Sequence, residues 1–116
     1  MLRGEFIVHK AFRLKDGRLH FLFRGHDGSL AVPLETWLTS KAKVVMDGRG
    51  HCYRAGFHVL VGPEAISKFN RLTKGKYVVR EVEARDIRRK PNSRTGIWLA
   101  RHLRVPSIGI NYLVRS

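Results

Sequence analysis

The residues that could carry out chemistry in this sequence are few, and their spacing matches no catalytic or metal-binding motif. Cys52 is the only cysteine, which excludes an internal disulfide and a cysteine-based zinc cluster. It follows His51 directly, and adjacent residues on an extended chain point apart, so these two cannot form a nucleophile–base pair. The histidines are scattered, with no His-x-x-x-His pair, and we therefore expect neither a metal nor a cofactor. They are His9, His20, His26, His51, His58 and His102.

Two carboxylates, Glu81 and Glu83, have a spacing that paired acid–base catalysis could use. On a strand they would share one face, roughly 7 Å apart. Lys76, Arg80 and Arg85 lie close in the sequence, and we favour ordinary salt bridges over catalysis for this pair. A nucleophile elbow and a phosphate-cradling glycine motif are both missing. We therefore predict a protein without enzymatic activity; the polar residues that an enzyme would use here are Tyr53, His58 and Glu81 or Glu83.

The charge of the chain is its strongest functional signal. Its 116 residues include 23 Lys plus Arg against 9 Asp plus Glu, which gives a formal net charge of +14 and a pI near 11.1. Residues 59–116 hold 13 of the 23 cations and only 4 of the 9 acids. A field of this strength attracts polyanions, of which nucleic acid is the commonest, followed by acidic protein surfaces. Simple solubility is the alternative explanation of the charge.

The most basic segment, residues 85–101, reads "RDIRRKPNSRTGIWLAR". It is richer in arginine than in lysine, which favours bidentate contact with phosphate or carboxylate, and its Pro-Asn-Ser stretch predicts a loop. We predict a binding face in which this loop and its flanking strands join the end of a helix and its exit turn. The alternative is a solvated connection. The predicted binding residues are Arg85, Arg88, Arg89, Lys90, Arg94, Arg101 and Arg104, together with Lys68, Arg71, Lys74 and Lys76.

The aromatic residues give little support for recognition of bases. Trp98 lies within "IWLA", which is typical of a core strand. The sequence contains no RNP-type motif, GXXG loop, helix-turn-helix or zinc finger. If the partner is DNA or RNA, we expect contact with the backbone without base readout.

The elements that position these residues begin with a predicted three-stranded meander. The apolar runs "FIVHKAFRL", "LHFLF" and "LAVPL" are separated by Asp16-Gly17 and Asp27-Gly28, and Asp-Gly pairs favour tight hairpin turns. Two-residue loops at both turns would put one set of apolar side chains on one face. The predicted pairs are Leu14 with Leu19, Phe12 with Phe21, Phe23 with Val32, and Phe21 with Leu34.

The remaining segments predict a small α+β domain over residues 1–116. The segment "LETWLTSKAK" predicts a short helix or helical turn, and "CYRAGFHVLV" predicts one strand that ends at Gly62. Pro63, Glu64 and the later Gly75 delimit one principal helix over about residues 63–72. The segment "KYVVREVEARDI" predicts a strand, "IWLARHLRV" a strand or short helix, and "IGINYLV" the last element. The sheet should be mostly antiparallel.

The motif Tyr-x-x-Gly-Phe-His-Val, here Tyr53, Gly56, Phe57, His58 and Val59, precedes Glu64-Ala65. Over roughly residues 36–105 the chain resembles small proteins encoded by bacteriophages. This resemblance implies a phage and host context and no catalytic role. Small basic proteins of that kind bind nucleic acid, or they bind and block a host protein.

The leading hypothesis is therefore a non-enzymatic protein that binds nucleic acid, DNA or RNA, without sequence specificity. The alternative is a protein–protein module, a host-protein inhibitor or virion accessory component, that docks on an acidic partner. The sequence has no apolar run near the roughly 20 residues that span a bilayer, and its first residues do not resemble a signal peptide. We expect a location in the cytoplasm, that of the host if the protein is phage-encoded, and no membrane partner.

Overall fold

The computed structural model describes residues 2–22, 31–41, 43–74, 76–91, 93, 96–109 and 111–113. Within these residues the chain forms one helix and antiparallel strands, so the predicted α+β class is confirmed. The elements are β1 (Leu2–Lys15), β2 (Arg18–His20), β3 (Trp37–Thr39), β4 (Val44–Met46), β5 (Cys52–Arg54), β6 (Phe57–Leu60), α1 (Pro63–Thr73), β7 (Val78–Arg89), β8 (Ile97–Arg104) and β9 (Asn111–Leu113).

The main sheet closes into a small barrel, which the prediction of a meander did not include. Strand β1 pairs with β6 on one side and with β7 on the other, and β8 pairs with both β6 and β7. These four strands therefore form a ring, to which β2, β3 and β9 are added. Its interior is filled by apolar side chains from the long strands, from β6 and from the residue after β8. They include Val8, Phe12, Val59, Val82, Ile87, Leu103 and Val105.

The first predicted hairpin is confirmed. Asp16 and Gly17 both have positive φ, at 51° and 75°, as a tight two-residue turn of this kind requires. Leu14 lies opposite Leu19, as predicted. Leu19 is buried, whereas Leu14, beside the turn, is half exposed.

The predicted register of the second hairpin is wrong. His20 lies opposite Ala31. The predicted pair of Phe21 with Leu34 would instead put His20 opposite Glu35, four residues further along the chain. Pro33 has no N–H to extend a ladder, so in the described residues this contact stays an isolated bridge, and Leu34 is exposed. The predicted Asp27-Gly28 turn and Phe23 lie outside the described residues.

Two further predictions are corrected around the smaller strands. The described residues of "LETWLTSKAK" form no helix. Trp37 pairs with Arg104 in the short strand β3, which is too brief for apolar spacing to identify. The segment "CYRAGFHVLV" forms two strands, because Ala55 and Gly56 interrupt the predicted single strand. There Gly56 passes so close to β8 that a Cβ on it would lie 3.0 Å from the Leu99 Cβ. Strand β5 instead forms a separate two-stranded ribbon with β4.

Helix α1 covers the outer face of the barrel and confirms the predicted helix. It begins at Pro63 after Gly62, has Glu64 in its first turn, and is followed by Lys74 in the left-handed conformation. Its apolar side packs on the outward residues Ala11, Leu60 and Val79 of β1, β6 and β7. The predicted stop at Gly75 lies outside the described residues. In the described part of the chain no helix is both long and apolar enough to cross a membrane.

Candidate functional site

Strand β7 changes the face of its side chains at Asp86. Ala84 and Ile87 are both buried in the barrel interior although they are three residues apart, whereas a regular strand alternates with a period of two. Asp86 absorbs the extra residue in a left-handed conformation, with φ of 55°. The partner strand β1 is irregular at the same level, between Leu2 and Glu5. The basic end of β7 is therefore redirected relative to its first half.

This irregularity lies beside a cleft of about 670 Å³ that is lined mainly by cations. The cations come from β1, the ribbon and the residue before it, β7 and β8, so distant parts of the sequence meet here. Two small apolar residues and one carboxylate complete the lining. The lining residues are Arg3, Lys43, Val44, Arg54, Ala55, Asp86, Arg88 and Arg101. We call this the cationic cleft.

Arg88 connects the barrel to the ribbon at the wall of the cationic cleft. Its Nη2 group donates hydrogen bonds to the carbonyl oxygens of Arg54, at 2.7 Å, and Ala55, at 3.2 Å. The Ala55 N–H in turn donates to the carbonyl of Lys43, at 2.8 Å. Burial lowers the pKa of Arg88, and the charges of Arg54 and Arg101 lower it further. The cations of the cleft are therefore close enough to repel one another.

Aromatic rings lie next to the basic end of β7. The Lys90 ammonium is 4.9 Å from the centre of the Tyr53 ring, on the ribbon strand that also carries Arg54. The Arg89 guanidinium is 5.5 Å from the centre of the Trp98 ring. Trp98 is half-buried and packs against the barrel core, in agreement with the prediction of a core role.

Two of the predicted binding residues are engaged by carboxylates of the protein itself. Arg85 pairs with Glu5 and stacks on Trp37, with 3.9 Å between the guanidinium carbon and the ring centre. Arg104 pairs with both Glu35 and Glu83, and the hydrogen bonds and charges of these acids raise its pKa. Glu83 therefore forms a salt bridge, as predicted, but its partner is Arg104 instead of the predicted Lys76, Arg80 or Arg85. Arg85 and Arg104 connect strands, and their charge is largely compensated.

The other predicted cations lie elsewhere on the surface. Lys68 and Arg71 are exposed on α1, beside a shallow depression of about 400 Å³. Lys74 and Lys76 follow in the exit turn that leads to the first residue of β7, whereas Arg88 lies near the last residue of that strand. The two predicted basic groups thus flank opposite ends of β7. Arg94 lies outside the described residues.

Sequence reasoning missed three cations of the cleft: Arg3, Lys43 and Arg54. A signal for the ribbon was present, since the Asp-Gly pair Asp47-Gly48 follows a short apolar run. The loop is longer than the turn at Asp16 and Gly17, because Met46 pairs with Cys52. The ribbon loop is held by Asp47, whose carboxylate accepts hydrogen bonds from the N–H groups of Arg49 and His51. The position of Arg3 had no local signal, because it depends on the closure of β1 onto β7.

A buried lysine and a half-buried histidine lie on neighbouring elements. Lys10 points into the barrel, where its Nζ donates to the carbonyl oxygen of His58 at 2.7 Å, and burial lowers its pKa to about 7. Burial, together with the charges of Lys10 and Lys90, lowers the pKa of His58 to about 4. His58 is therefore a neutral side chain at physiological pH.

No group of three His, Cys, Asp or Glu residues in the described ranges is placed to hold a metal ion. No family model, curated protein or solved structure matches the chain. A function for the chain is therefore inferred from the geometry of the cationic cleft.

Proposed function

We propose that this protein binds nucleic acid through the phosphate backbone, without reading the base sequence, and that the cationic cleft is the binding site. One observation carries the proposal: Arg3, Lys43, Arg54, Arg88 and Arg101 surround one opening, although they come from four separate parts of the chain. Gathering like charges in this way costs electrostatic free energy, and a bound polyanion offsets that cost.

The shape and donors of the cleft suit a phosphate chain. Arginine supplies N–H groups in a planar fork that matches two phosphate oxygens, and three of the five cations are exposed. Both hydrogen bonds that Arg88 makes to the ribbon come from Nη2, so its Nε and Nη1 groups are the ones we assign to phosphate. The +14 charge of the whole chain adds long-range attraction and fast association.

A cytoplasmic location belongs to the same proposal. Cys52 is a free, exposed cysteine. A reducing compartment keeps such a thiol from forming disulfides with other proteins, and nucleic acid is abundant there.

The proposal is tested by binding of the purified, nuclease-treated protein to single-stranded RNA and DNA over a series of salt concentrations. We expect micromolar or tighter binding at about 150 mM salt, with log K falling by roughly 0.7 per neutralised phosphate against log salt. The variant Lys43→Ala/Arg101→Ala should lose about tenfold in affinity and flatten this slope by more than one unit.

A matched control removes two exposed cations far from the cleft, in Lys68→Ala/Arg71→Ala. It should retain most of the affinity. Equal losses in both double variants would show that the charge acts without a defined site. Absence of nucleic-acid binding at about 150 mM salt would reject the proposal and direct attention to an acidic protein partner, whose complex should depend less on salt.

A further inference from the structure

The cationic cleft contains one carboxylate, that of Asp86. A site that contacts only phosphate has no use for a carboxylate, because an ionised carboxylate accepts hydrogen bonds but donates none, and it repels phosphate oxygens. The phosphodiester backbone likewise offers only acceptors. A ligand that tolerates Asp86 must therefore present a hydrogen-bond donor next to its phosphates.

Asp86 has an unusual backbone conformation and two polar side chains nearby. Its φ of 55° lies in the left-handed region, which few residues other than glycine, asparagine and aspartate adopt. The carboxylate Oδ2 lies 3.7 Å from Nε2 of His102, and Nδ1 of His102 lies 2.9 Å from the Thr39 hydroxyl. His102 and Thr39 thus form a polar group, from β8 and β3, next to an acceptor that lines the cleft.

Among the groups of nucleic acids, the ribose 2′-hydroxyl is the donor that lies beside every backbone phosphate. It can donate to a carboxylate, and it is the group that distinguishes RNA from DNA. Building on the proposed function, we infer that Asp86 accepts a hydrogen bond from a ribose 2′-hydroxyl while the surrounding cations bind the adjacent phosphates. The protein therefore selects RNA over DNA, independently of base sequence.

The test compares three single-stranded oligomers of one sequence: RNA, DNA and the 2′-fluoro analogue of the RNA, which lacks the donor. Affinities are measured for the native protein and for Asp86→Gly, since glycine adopts the left-handed conformation without strain. Asp86→Asn, which also tolerates this conformation, retains a neutral acceptor as a second variant. Glu64→Gln, on the exposed first turn of α1, makes the same change of one charge as Asp86→Gly, away from the cleft.

We expect the native protein and Glu64→Gln to bind RNA about tenfold more tightly than DNA or the 2′-fluoro analogue, as befits a hydrogen bond to a charged group. Asp86→Gly should bind all three alike, with affinity for DNA equal to or above that of the native protein. Asp86→Asn should lie between the two. Circular dichroism of each variant confirms that it is folded.

The other outcomes separate the inference from the proposed function. Tight native binding of DNA and RNA alike would overturn the inference and leave the proposed function intact. An RNA preference that persists in Asp86→Gly would overturn the role of Asp86. Failure to bind any of the three oligomers at about 150 mM salt would overturn both.

Discussion

The guanidinium of Arg88 is hydrogen-bonded to the backbone carbonyl of Arg54, at 2.7 Å, and this contact joins two parts of the fold that belong to different sheets. Arg88 lies near the end of a barrel strand, and Arg54 ends a ribbon strand. The contact therefore sets the position of one wall of the cationic cleft relative to the other. One side chain thus has a structural role and lies in the proposed phosphate site.

Replacing Arg88 by alanine should loosen the ribbon more than the barrel. The change removes the hydrogen bonds to the carbonyls of Arg54 and Ala55, at a cost of about 1–3 kcal/mol to local stability. Amide hydrogen exchange should accelerate by about 10- to 100-fold in β4 and β5 and change little in β1 and β7. Arg89→Ala removes the neighbouring charge and serves as the control. Uniform acceleration throughout the chain would contradict a local role for Arg88.

The elements that local sequence signals predicted correctly are those with strong periodicity or turn residues. The hairpin at Asp16 and Gly17 and helix α1 belong to this group, because the turn and the helix start are specified by adjacent residues. Strand β3 was mistaken for a helix because three residues do not show a period. Its formation depends on pairing with β8, which is more than 60 residues away, as with Thr39 and His102.

The candidate site was predicted in part. Arg88 and Arg101 were assigned to it from the basic character of their segment, whereas Arg3 entered it only through the closure of the barrel. Arg85 and Arg104 were included because composition does not show which cations have carboxylate partners. Such pairs are determined by cross-strand register, which follows from the complete fold.

Gly56→Ala should destabilise the protein, because β8 passes directly against this position. The new Cβ would lie 3.0 Å from the Leu99 Cβ and 3.1 Å from the Ala100 carbonyl oxygen, so the ribbon or β8 must move. We expect a loss of about 1–3 kcal/mol in the free energy of unfolding, measured by urea denaturation. Gly48→Ala, where a Cβ meets nothing within 4 Å, is the matched control and should change stability by less than about 1 kcal/mol. Equal effects of the two changes would contradict the close contact.

His58 should make the protein less stable as the pH falls below 6.5. Burial and the charges of Lys10 and Lys90 lower its pKa to about 4, while the unfolded chain protonates it near 6.5. Between these values the unfolded state binds more protons, so the free energy of unfolding falls by roughly 3 kcal/mol from pH 6.5 to pH 4. Urea denaturation at several pH values measures this loss. The difference in stability between the native protein and His58→Gln should carry this loss. A difference that stays the same from pH 6.5 to pH 4 would contradict it.

Lys10 should make the free energy of unfolding depend on pH on the alkaline side. It is buried in the barrel, directly across from the buried Arg80 on β7, and burial lowers its pKa from 10.5 to about 7. Between pH 7 and pH 10.5 the unfolded state binds more protons than the folded state, so the free energy of unfolding rises with pH. Below pH 7 both states are protonated, and the full cost of burying the charge is present.

Lys10→Met removes this titration while keeping a flexible side chain of similar length. Below pH 7 the variant should be more stable than the native protein by about 1–4 kcal/mol, because it buries no charge. The loss of the hydrogen bond to His58 reduces this gain. That difference in stability should shrink as the pH rises above 7. Lys10 then loses its charge in the folded native protein, and its burial costs less free energy. Lys15→Met, at an exposed position of the same strand, controls for the loss of one cation. A difference for Lys10→Met that stays constant across this range would show that Lys10 reaches solvent in its charged form.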